Sequence, residues 1–227
     1  NAEVHVQKLI DAVSDAESGY TAAAKKLHDN RVRAARRLDK AISAQIDGLG
    51  MEGGRFKTSV VLQAQRPGRH GSDEIEFLVS ANPGQEPRPL SKVASGGELS
   101  RIGLAIEMLT AQHQPVATMV FDEVDAGVGG GIAEIIGQKL RSLGESIQVL
   151  CVTHLPQVAS QAHDHVLVTK LTDGNTTHTQ LVALAADRRV EEIARMLGGV
   201  EITDATRRHA REMLALLPAV GTDSVDV

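Results

Sequence analysis

The sequence predicts an α/β protein, a mostly parallel sheet with flanking helices plus an antiparallel hairpin, preceded by a long coiled-coil helix. Three patterns predict it: a heptad repeat over the first 47 residues, apolar–polar alternation after it, and two apolar runs between amphipathic helices beyond residue 95. A length of 227 residues allows one sizeable domain with an extension. We expect a coiled-coil arm at 1–47, a main domain at 48–217 and a flexible tail at 218–227.

The first 47 residues have the composition of one long helix, with no proline and a single glycine, Gly19. Apolar or small residues recur every seven positions, at Val6, Val13, Tyr20, Leu27, Ala34 and Ala41. A second series fails where Asn30 and Arg37 occupy its positions, which indicates a phase break in a coiled coil. A single helix cannot bury such a stripe, so we expect a partner helix from outside this chain or from a second copy.

Four glycines between residues 48 and 54 end this helix. Apolar residues then alternate with polar ones over 56–64 and again over 75–79. The segment between them contains Pro67 and Gly68, so the two runs are predicted to form antiparallel strands joined by a loop.

From residue 95 the pattern becomes helix–strand–helix–strand. The runs at 115–121 and 147–152 are continuously apolar, and such strands are predicted to be buried on both faces of a parallel sheet covered by helices. Residues 166–171 and 180–184 flank Asp173 and Gly174, which predicts a hairpin. Two short helices near 188–198 and 204–217 end the domain.

Composition narrows the possible classes of protein. The net charge of −5 argues against a uniformly basic nucleic-acid binder, and aromatic residues at 2% leave an aliphatic core. No apolar run approaches the roughly 18 residues of a membrane span. The single cysteine, Cys151, fits a reducing cytoplasm and is expected to be buried and inert.

Ser95-Gly96-Gly97-Glu98 opens the first helix of the main domain. Ser95 is a natural N-cap and Glu98 stands where a capping box requires it, so a well-capped helix is one interpretation. The other is a phosphate site, because glycines allow close approach to the backbone and the free N–H groups attract anions.

Carboxylates and a histidine follow the two apolar runs. Asp122 and Glu123 end the first run and His154 ends the second. Because ligands of α/β sheets bind at the carboxyl ends of strands, we expect these residues to converge on a nucleotide γ-phosphate. One carboxylate can hold Mg²⁺ through its water shell, and the other can deprotonate an attacking water. No G-x-x-x-x-G-K-[ST] phosphate loop occurs in the sequence, so the site is expected to be incomplete in this chain alone.

The ordered set of motifs resembles the ABC-type ATPases, and the arm together with Glu98 points to their SMC-like branch. Residues 76–84, 90–101, 121–125 and 152–159 are similar to the members of that branch that repair bacterial double-strand breaks. The resemblance implies that Ser95, Gly96, Gly97 and Glu98 form the signature motif, which contacts ATP on an opposing head.

The resemblance also implies roles for the strand ends. Asp122 would support Mg²⁺, Glu123 would be the general base, Asp125 would form the head–head contact, and His154 would sense the γ-phosphate. ATP and Mg²⁺ are the implied cofactors, and both would require the N-terminal half of the head with its Walker A loop.

The implied protein is an ATPase of bacterial DNA repair, cytoplasmic and associated with the nucleoid. Its implied partners are the N-terminal half of the same head, a second head in a homodimer, and DNA. Two alternatives stay open: another SMC-like ATPase that organises chromosomes, or a coiled-coil dimerisation module on a catalytically incomplete head.

A basic stripe on the predicted arm is the candidate DNA contact. It consists of Arg33, Arg36, Arg37 and Lys40, which share one helical face. Such a stripe could bind the phosphate backbone without sequence preference. The alternative is a solvated exterior of the coiled coil.

Overall fold

The predicted arm helix is present in a computed structural model, which describes residues 2–93, 95–110, 116–172, 177–198 and 201–215. Helix α1, Ala2–Asp47, has 46 residues, and at 1.5 Å per residue it is about 69 Å long. Its buried residues lie whole turns apart and therefore on one face: Ala24, Ala35, Ile42 and Ile46. The predicted tail, at 218–227, lies outside the described residues.

The chain divides into two compact units, one of residues 1–47 and 51–94 and the other of residues 48–50 and 95–227. Helix α1 therefore shares a unit with strands that were predicted to belong to the main domain. The division into an arm and a head stays a prediction.

The first unit is α1 packed on a three-stranded antiparallel sheet. Strands β1 (Arg55–Leu62), β2 (Asp73–Ser80) and β3 (Arg88–Pro89) lie in the order β1-β2-β3. A short 3-10 turn, Leu90–Lys92, follows β3. Phe56 pairs with Val79 in the register of β1 and β2, and both side chains are buried. The antiparallel pair predicted from the alternation is thus confirmed.

Side chains of α1 bind the backbone of the edge strand β1. The N–H of Phe56 donates to Ser43 Oγ at 2.9 Å, and the N–H of Thr58 donates to Asp39 Oδ1 at 2.7 Å. An edge strand otherwise presents unpaired backbone groups to other chains. The helix therefore protects this edge as well as covering part of the sheet.

The second unit contains the helix–strand alternation that the sequence predicts. Its helices are α2 (Gly96–Thr110), α3 (Gly130–Leu143), α4 (Pro156–Gln161), α5 (Ala186–Gly198) and α6 (Asp204–Ala215). Its strands are β4 (Thr118–Phe121), β5 (Gln148–Cys151), β6 (Val166–Thr172) and β7 (Thr177–Ala183). Strands β4 and β5 are parallel, and β6 and β7 form an antiparallel hairpin whose predicted turn at Asp173 and Gly174 lies outside the described residues.

One prediction about the parallel strands is wrong. Val120 and Leu150 pair in the register of β4 and β5, yet their side chains are 66% and 52% exposed. Phe121, which points to the other face, is buried. Only one face of this pair is therefore covered by the described residues, and the continuous apolar pattern indicates a second layer that they do not supply.

None of the described helices combines the length and the apolar character that crossing a membrane requires.

Candidate functional site

The start of α2 is capped as the sequence predicts. The N–H of Glu98 donates to Ser95 Oγ at 3.3 Å, so Ser95 satisfies one of the free N–H groups of the first turn. Ser95 and Gly96 are exposed, whereas Gly97 is buried. Ser95 and Gly96, the first two residues of the motif, are therefore accessible to a ligand.

Gly97 is required because α2 lies against the loop that follows β4, and Gly96 lies beside the Glu123 side chain of that loop. A Cβ on Gly97 would be 2.9 Å from the carbonyl oxygen of Ala126, and a Cβ on Gly96 would be 2.5 Å from Glu123 Oε2. At Gly97 any other residue would meet the loop backbone, whereas at Gly96 the added Cβ would meet the end of the flexible Glu123 side chain. The helix start and the general base predicted from the sequence are thus neighbours within one chain.

The two carboxylates after β4 are both exposed. Glu123 has a φ of 56°, in the left-handed region that costs a non-glycine residue roughly 1–2 kcal/mol. Its backbone is held there by two hydrogen bonds: its N–H donates to Asp122 Oδ1 at 2.9 Å, and its carbonyl accepts from the N–H of Ala126 at 3.0 Å. A strained residue persists where its neighbours over-determine it, and such positions cluster at functional sites.

Asp125 is buried, which the sequence did not indicate. Its side chain is 2% exposed, and its Oδ2 accepts a hydrogen bond from the hydroxyl of Thr153. His154 Nδ1 lies 3.9 Å from the same oxygen, while the His154 side chain is 77% exposed. In this conformation the Asp125 carboxylate joins the ends of two strands and does not lie on the surface, where a head–head contact would need it.

The structure brings the predicted residues together in two groups. Gly96 and Gly97 contact the 122–127 loop, and His154 approaches Asp125. The contacts among the described residues join His154 to Asp125, not to Asp122 or Glu123. The predicted convergence of all three on one point therefore stays a prediction.

Three residues at this site were not singled out by sequence reasoning. Thr153 binds Asp125, Ser100 Oγ donates to the carbonyl of Asp122 at 2.7 Å, and an Arg101 guanidinium N–H donates to the carbonyl of Ala126 at 2.8 Å. Thr153 directly precedes His154 after a predicted strand, so its position in the sequence could have indicated that it belongs to the site. No pattern in the sequence pairs Ser100 or Arg101 with a loop more than 20 residues away.

Cys151 ends β5 beside these carboxylates. Burial raises the pKa of its thiol to about 12, and the negative charges of Asp125 and Asp122 act in the same direction. The thiol is therefore protonated and unreactive near neutral pH.

A Mg²⁺ ion bound to ATP would find a suitable ligand in Asp122. Its carboxylate is exposed, one oxygen accepts the Glu123 N–H, and hard cations prefer such oxygens. Among the described residues no group of three histidine, cysteine or acidic side chains could hold a metal on its own. The carboxylate fits an ion that takes its other ligands from water and phosphate.

The predicted basic stripe lies on the free face of α1. Arg33, Arg36, Arg37 and Lys40 are all accessible to solvent. Arg33 is two residues from buried Ala35, and Lys40 is two residues from buried Ile42, which places each about 200° around the helix from the sheet-facing side. The stripe therefore remains accessible while α1 is packed on its sheet.

The N-terminal part of α1 carries an exposed apolar groove. It is lined by Val6, Leu9, Ile10, Val13, Ser14 and Glu17. Val13 lies 11 residues before Ala24, three helical turns, so this groove continues the face that packs on the sheet. The groove and the basic stripe are thus on opposite sides of the helix.

No family model matches the chain, but the curated proteins to which it is similar include several with the same name. The DNA repair protein RecN of Vibrio cholerae is 49% identical over 195 residues, 86% of this chain and 35% of that protein. RecN of Xylella fastidiosa strain 9a5c is 48% identical, covering 94% and 39%, and RecN of Bacillus subtilis is 38% identical, covering 98% and 41%. The chain thus spans less than half the length of these relatives.

Two solved structures share the fold. The Smc head domain with a coiled coil and joint derived from Pyrococcus yayanosii has a TM-score of 0.52 at 19% identity, over 71% of this chain and 29% of that one. The Smc head domain with an extended coiled coil derived from Pyrococcus furiosus, bound to the C-terminal domain of ScpA, also has a TM-score of 0.52, at 18% identity, over 76% and 41%. The similarity confirms an SMC-head type of α/β fold.

Proposed function

Over the segment that it spans, the chain belongs to the RecN family of DNA repair proteins, and we propose that it is the C-terminal part of an SMC-like ATPase. In the complete protein two heads enclose ATP, and hydrolysis drives DNA binding, tethering or release. The observation that carries this proposal is the contact between the Ser95-Gly96-Gly97 helix start and the loop that bears Glu123.

The chain's own residues have distinct tasks in this proposal. The Glu123 carboxylate accepts a proton from the attacking water, because it is exposed at the end of a strand and held by its backbone. The Asp122 carboxylate would hold Mg²⁺ through its water shell. ATP with Mg²⁺ would supply the electrophilic phosphoryl group, and His154 would orient it. Ser95 and Gly96 offer N–H groups to the phosphate of an opposing head.

Completion of the head requires further sequence. The exposed face of β4 and β5, with Val120, Leu150 and Val152, is apolar and uncovered by the described residues. An N-terminal half with a Walker A loop would cover this face and provide the second half of the nucleotide site. An exposed apolar patch of this kind marks an interaction surface.

DNA is the third proposed partner. The Arg33, Arg36, Arg37 and Lys40 stripe is accessible and faces away from both the sheet and the apolar groove of α1. A partner helix in the groove would therefore leave the stripe accessible to a phosphate backbone. We propose that the protein acts in the bacterial cytoplasm, at the nucleoid.

Replacement of the general base tests the enzymatic proposal. In the full-length protein, Glu123→Gln should lower ATP turnover by about 10²–10⁴-fold, the usual contribution of general-base catalysis. Glu145→Gln is the matched control, because Glu145 is an exposed acid in the same unit, away from the 122–127 loop. Unchanged turnover in Glu123→Gln would refute the catalytic assignment.

The exposed groove of α1 supports a second candidate, a coiled-coil dimerisation module. Val6, Leu9, Ile10 and Val13 are between 54% and 57% exposed, as expected for an unpaired coiled-coil seam. If this were the sole function, Val6→Glu and Val13→Glu would abolish self-association, while wild-type full-length protein would show no ATP turnover. Turnover by the wild type favours the ATPase.

A further inference from the structure

Arg101 joins helix α2 to the 122–127 loop, which carries Glu123, the predicted general base. It lies in the second turn of α2, its side chain is 6% exposed, and its guanidinium N–H donates to the carbonyl of Ala126 at 2.8 Å. The neighbouring Ser100 donates through Oγ to the carbonyl of Asp122 at 2.7 Å. The two bonds hold the loop on both sides of Glu123.

The setting of Arg101 is unfavourable for a residue whose task is stability alone. Its Nε is buried without a hydrogen-bond partner among the described residues, and it is a cation near the positive end of a helix dipole. Burial lowers its pKa, and the negative charge of Glu98 raises it only in part. A buried charge without full compensation costs free energy, and apolar residues of similar volume are often as good or better for stability.

The 122–127 loop is strained at Glu123, so it is expected to change conformation when α2 does not hold it. Glu123 has a φ of 56°, and relaxation to a negative φ would relieve the strain of a left-handed conformation at a non-glycine residue. That relaxation would carry the carboxylate away from its position beside Gly96. The Ala126 and Asp122 carbonyls are the points at which α2 prevents it.

We infer that Arg101 is a positioning residue for ATP hydrolysis: by binding the Ala126 carbonyl it keeps the 122–127 loop in the conformation that places the Glu123 carboxylate against the attacking water. This inference rests on the proposed ATPase function. Arg101 acts through the loop and Glu123, because its guanidinium N–H donates to the Ala126 carbonyl.

The test uses the full-length protein and two substitutions of Arg101. Arg101→Met keeps much of the side-chain length and removes the donors, and kcat should fall about 10- to 100-fold, the scale of a small misplacement of a catalytic group. The KM for ATP should stay within about twofold, because substrate binding is unaffected. Arg101→Lys keeps the positive charge and a hydrogen-bond donor, and it should recover part of the lost kcat.

Arg141→Met is the matched control. Arg141 donates to the carbonyl of Gln161 at 2.9 Å, the same type of bond in the same unit, away from the site. Arg141→Met should leave kcat unchanged, whatever its effect on the thermal unfolding midpoint. Ser100→Ala is the second variant, should Arg101→Met fail to fold, and it should lower kcat by a smaller factor.

Several outcomes would overturn the inference. Arg101→Met could retain wild-type kcat, Arg101→Lys could be no better than Arg101→Met, or Arg141→Met could lose as much kcat. Failure of the underlying function is distinguishable, because in that case wild type and Glu123→Gln would have equal turnover.

Discussion

The hydroxyl of Thr153 donates a hydrogen bond to Oδ2 of Asp125, across 28 residues of sequence. This bond satisfies one oxygen of a carboxylate that is 2% exposed, and the same hydroxyl accepts the N–H of Leu155 at 3.0 Å. The loop after β4 and the segment that presents His154 are therefore joined through one side chain.

Thr153→Val should destabilise the protein by about 1–3 kcal/mol, because it leaves a buried carboxylate oxygen without its donor. Thermal unfolding of the full-length protein measures the effect. Thr118→Val is the control: its hydroxyl donates to Gln148 Oε1 at 2.9 Å on the exposed surface, so its loss should cost much less. Equal effects of the two substitutions would contradict the role of Thr153.

Gly97→Ala should destabilise the protein by about 1–3 kcal/mol, the cost of overpacking a site that cannot expand. The added Cβ would be 2.9 Å from the Ala126 carbonyl oxygen and 3.0 Å from the Ala126 Cβ. Gly103→Ala, later in α2, meets nothing within 4 Å and should stabilise the helix by about 0.5–1 kcal/mol. Thermal unfolding of both variants gives the comparison, and a stabilising Gly97→Ala would be inconsistent with the tight contact.

Asp73 should make the first unit sensitive to acid. Burial raises its pKa, but hydrogen bonds from Arg31 and His28 outweigh burial and hold the pKa below the ordinary value of 3.8. A depressed pKa means that this stabilisation is present above pH 3.8 and is lost as the pH falls through the folded-state pKa. We expect Asp73→Asn to be less stable near neutral pH and to lose less further stability below about pH 4 than wild type.

Circular dichroism during acid titration measures this difference. Glu76→Gln is the control, because Glu76 is exposed on the same strand. It should follow the wild-type curve, and so should Asp73→Asn if the contacts with His28 and Arg31 at 2.6 and 2.9 Å contribute nothing.

The basic stripe should contribute to DNA binding by neutralising phosphates. Replacing Arg33, Arg36 and Arg37 by alanine should weaken binding of the full-length protein to any duplex sequence. The slope of log K against log salt should become shallower by about 0.9 for each phosphate that the variant no longer neutralises. Fluorescence anisotropy across a salt series measures this slope.

The control for the stripe removes the same charge from the other unit. It replaces three arginines of α5 and α6: Arg188, Arg208 and Arg211. A slope that changes equally in both variants would show that net charge alone is responsible, and the solvated-exterior interpretation would then hold.

Local patterns predicted most elements closely. The heptad pattern predicted a helix to residue 47, and α1 ends at Asp47. The alternation predicted the pairing of β1 with β2, where Phe56 faces Val79. Helix α4, Pro156–Gln161, was missed because six residues are too few to display a helical period.

Burial was harder to predict than secondary structure. Val120 and Leu150 lie on strands of continuous apolar sequence, which is typical of strands covered on both faces, and yet they are exposed. A continuously apolar strand indicates that both of its faces are covered in the complete fold. The residues that cover the second face need not come from the same segment of chain.

The sequence by itself determined the long helix, the pairing of β1 with β2, the helix–strand alternation after residue 95 and the capping of α2 by Ser95, because these depend on local periodicity and residue type. Only the tertiary structure decided that Asp125 is buried under Thr153, that Glu123 adopts a positive φ, and that Arg101 holds the loop at Ala126. The contacts of Asp125 and Arg101 join residues more than 20 positions apart, and the φ of Glu123 depends on its bonds with Asp122 and Ala126 in the folded loop. No local pattern of residue types records these relations.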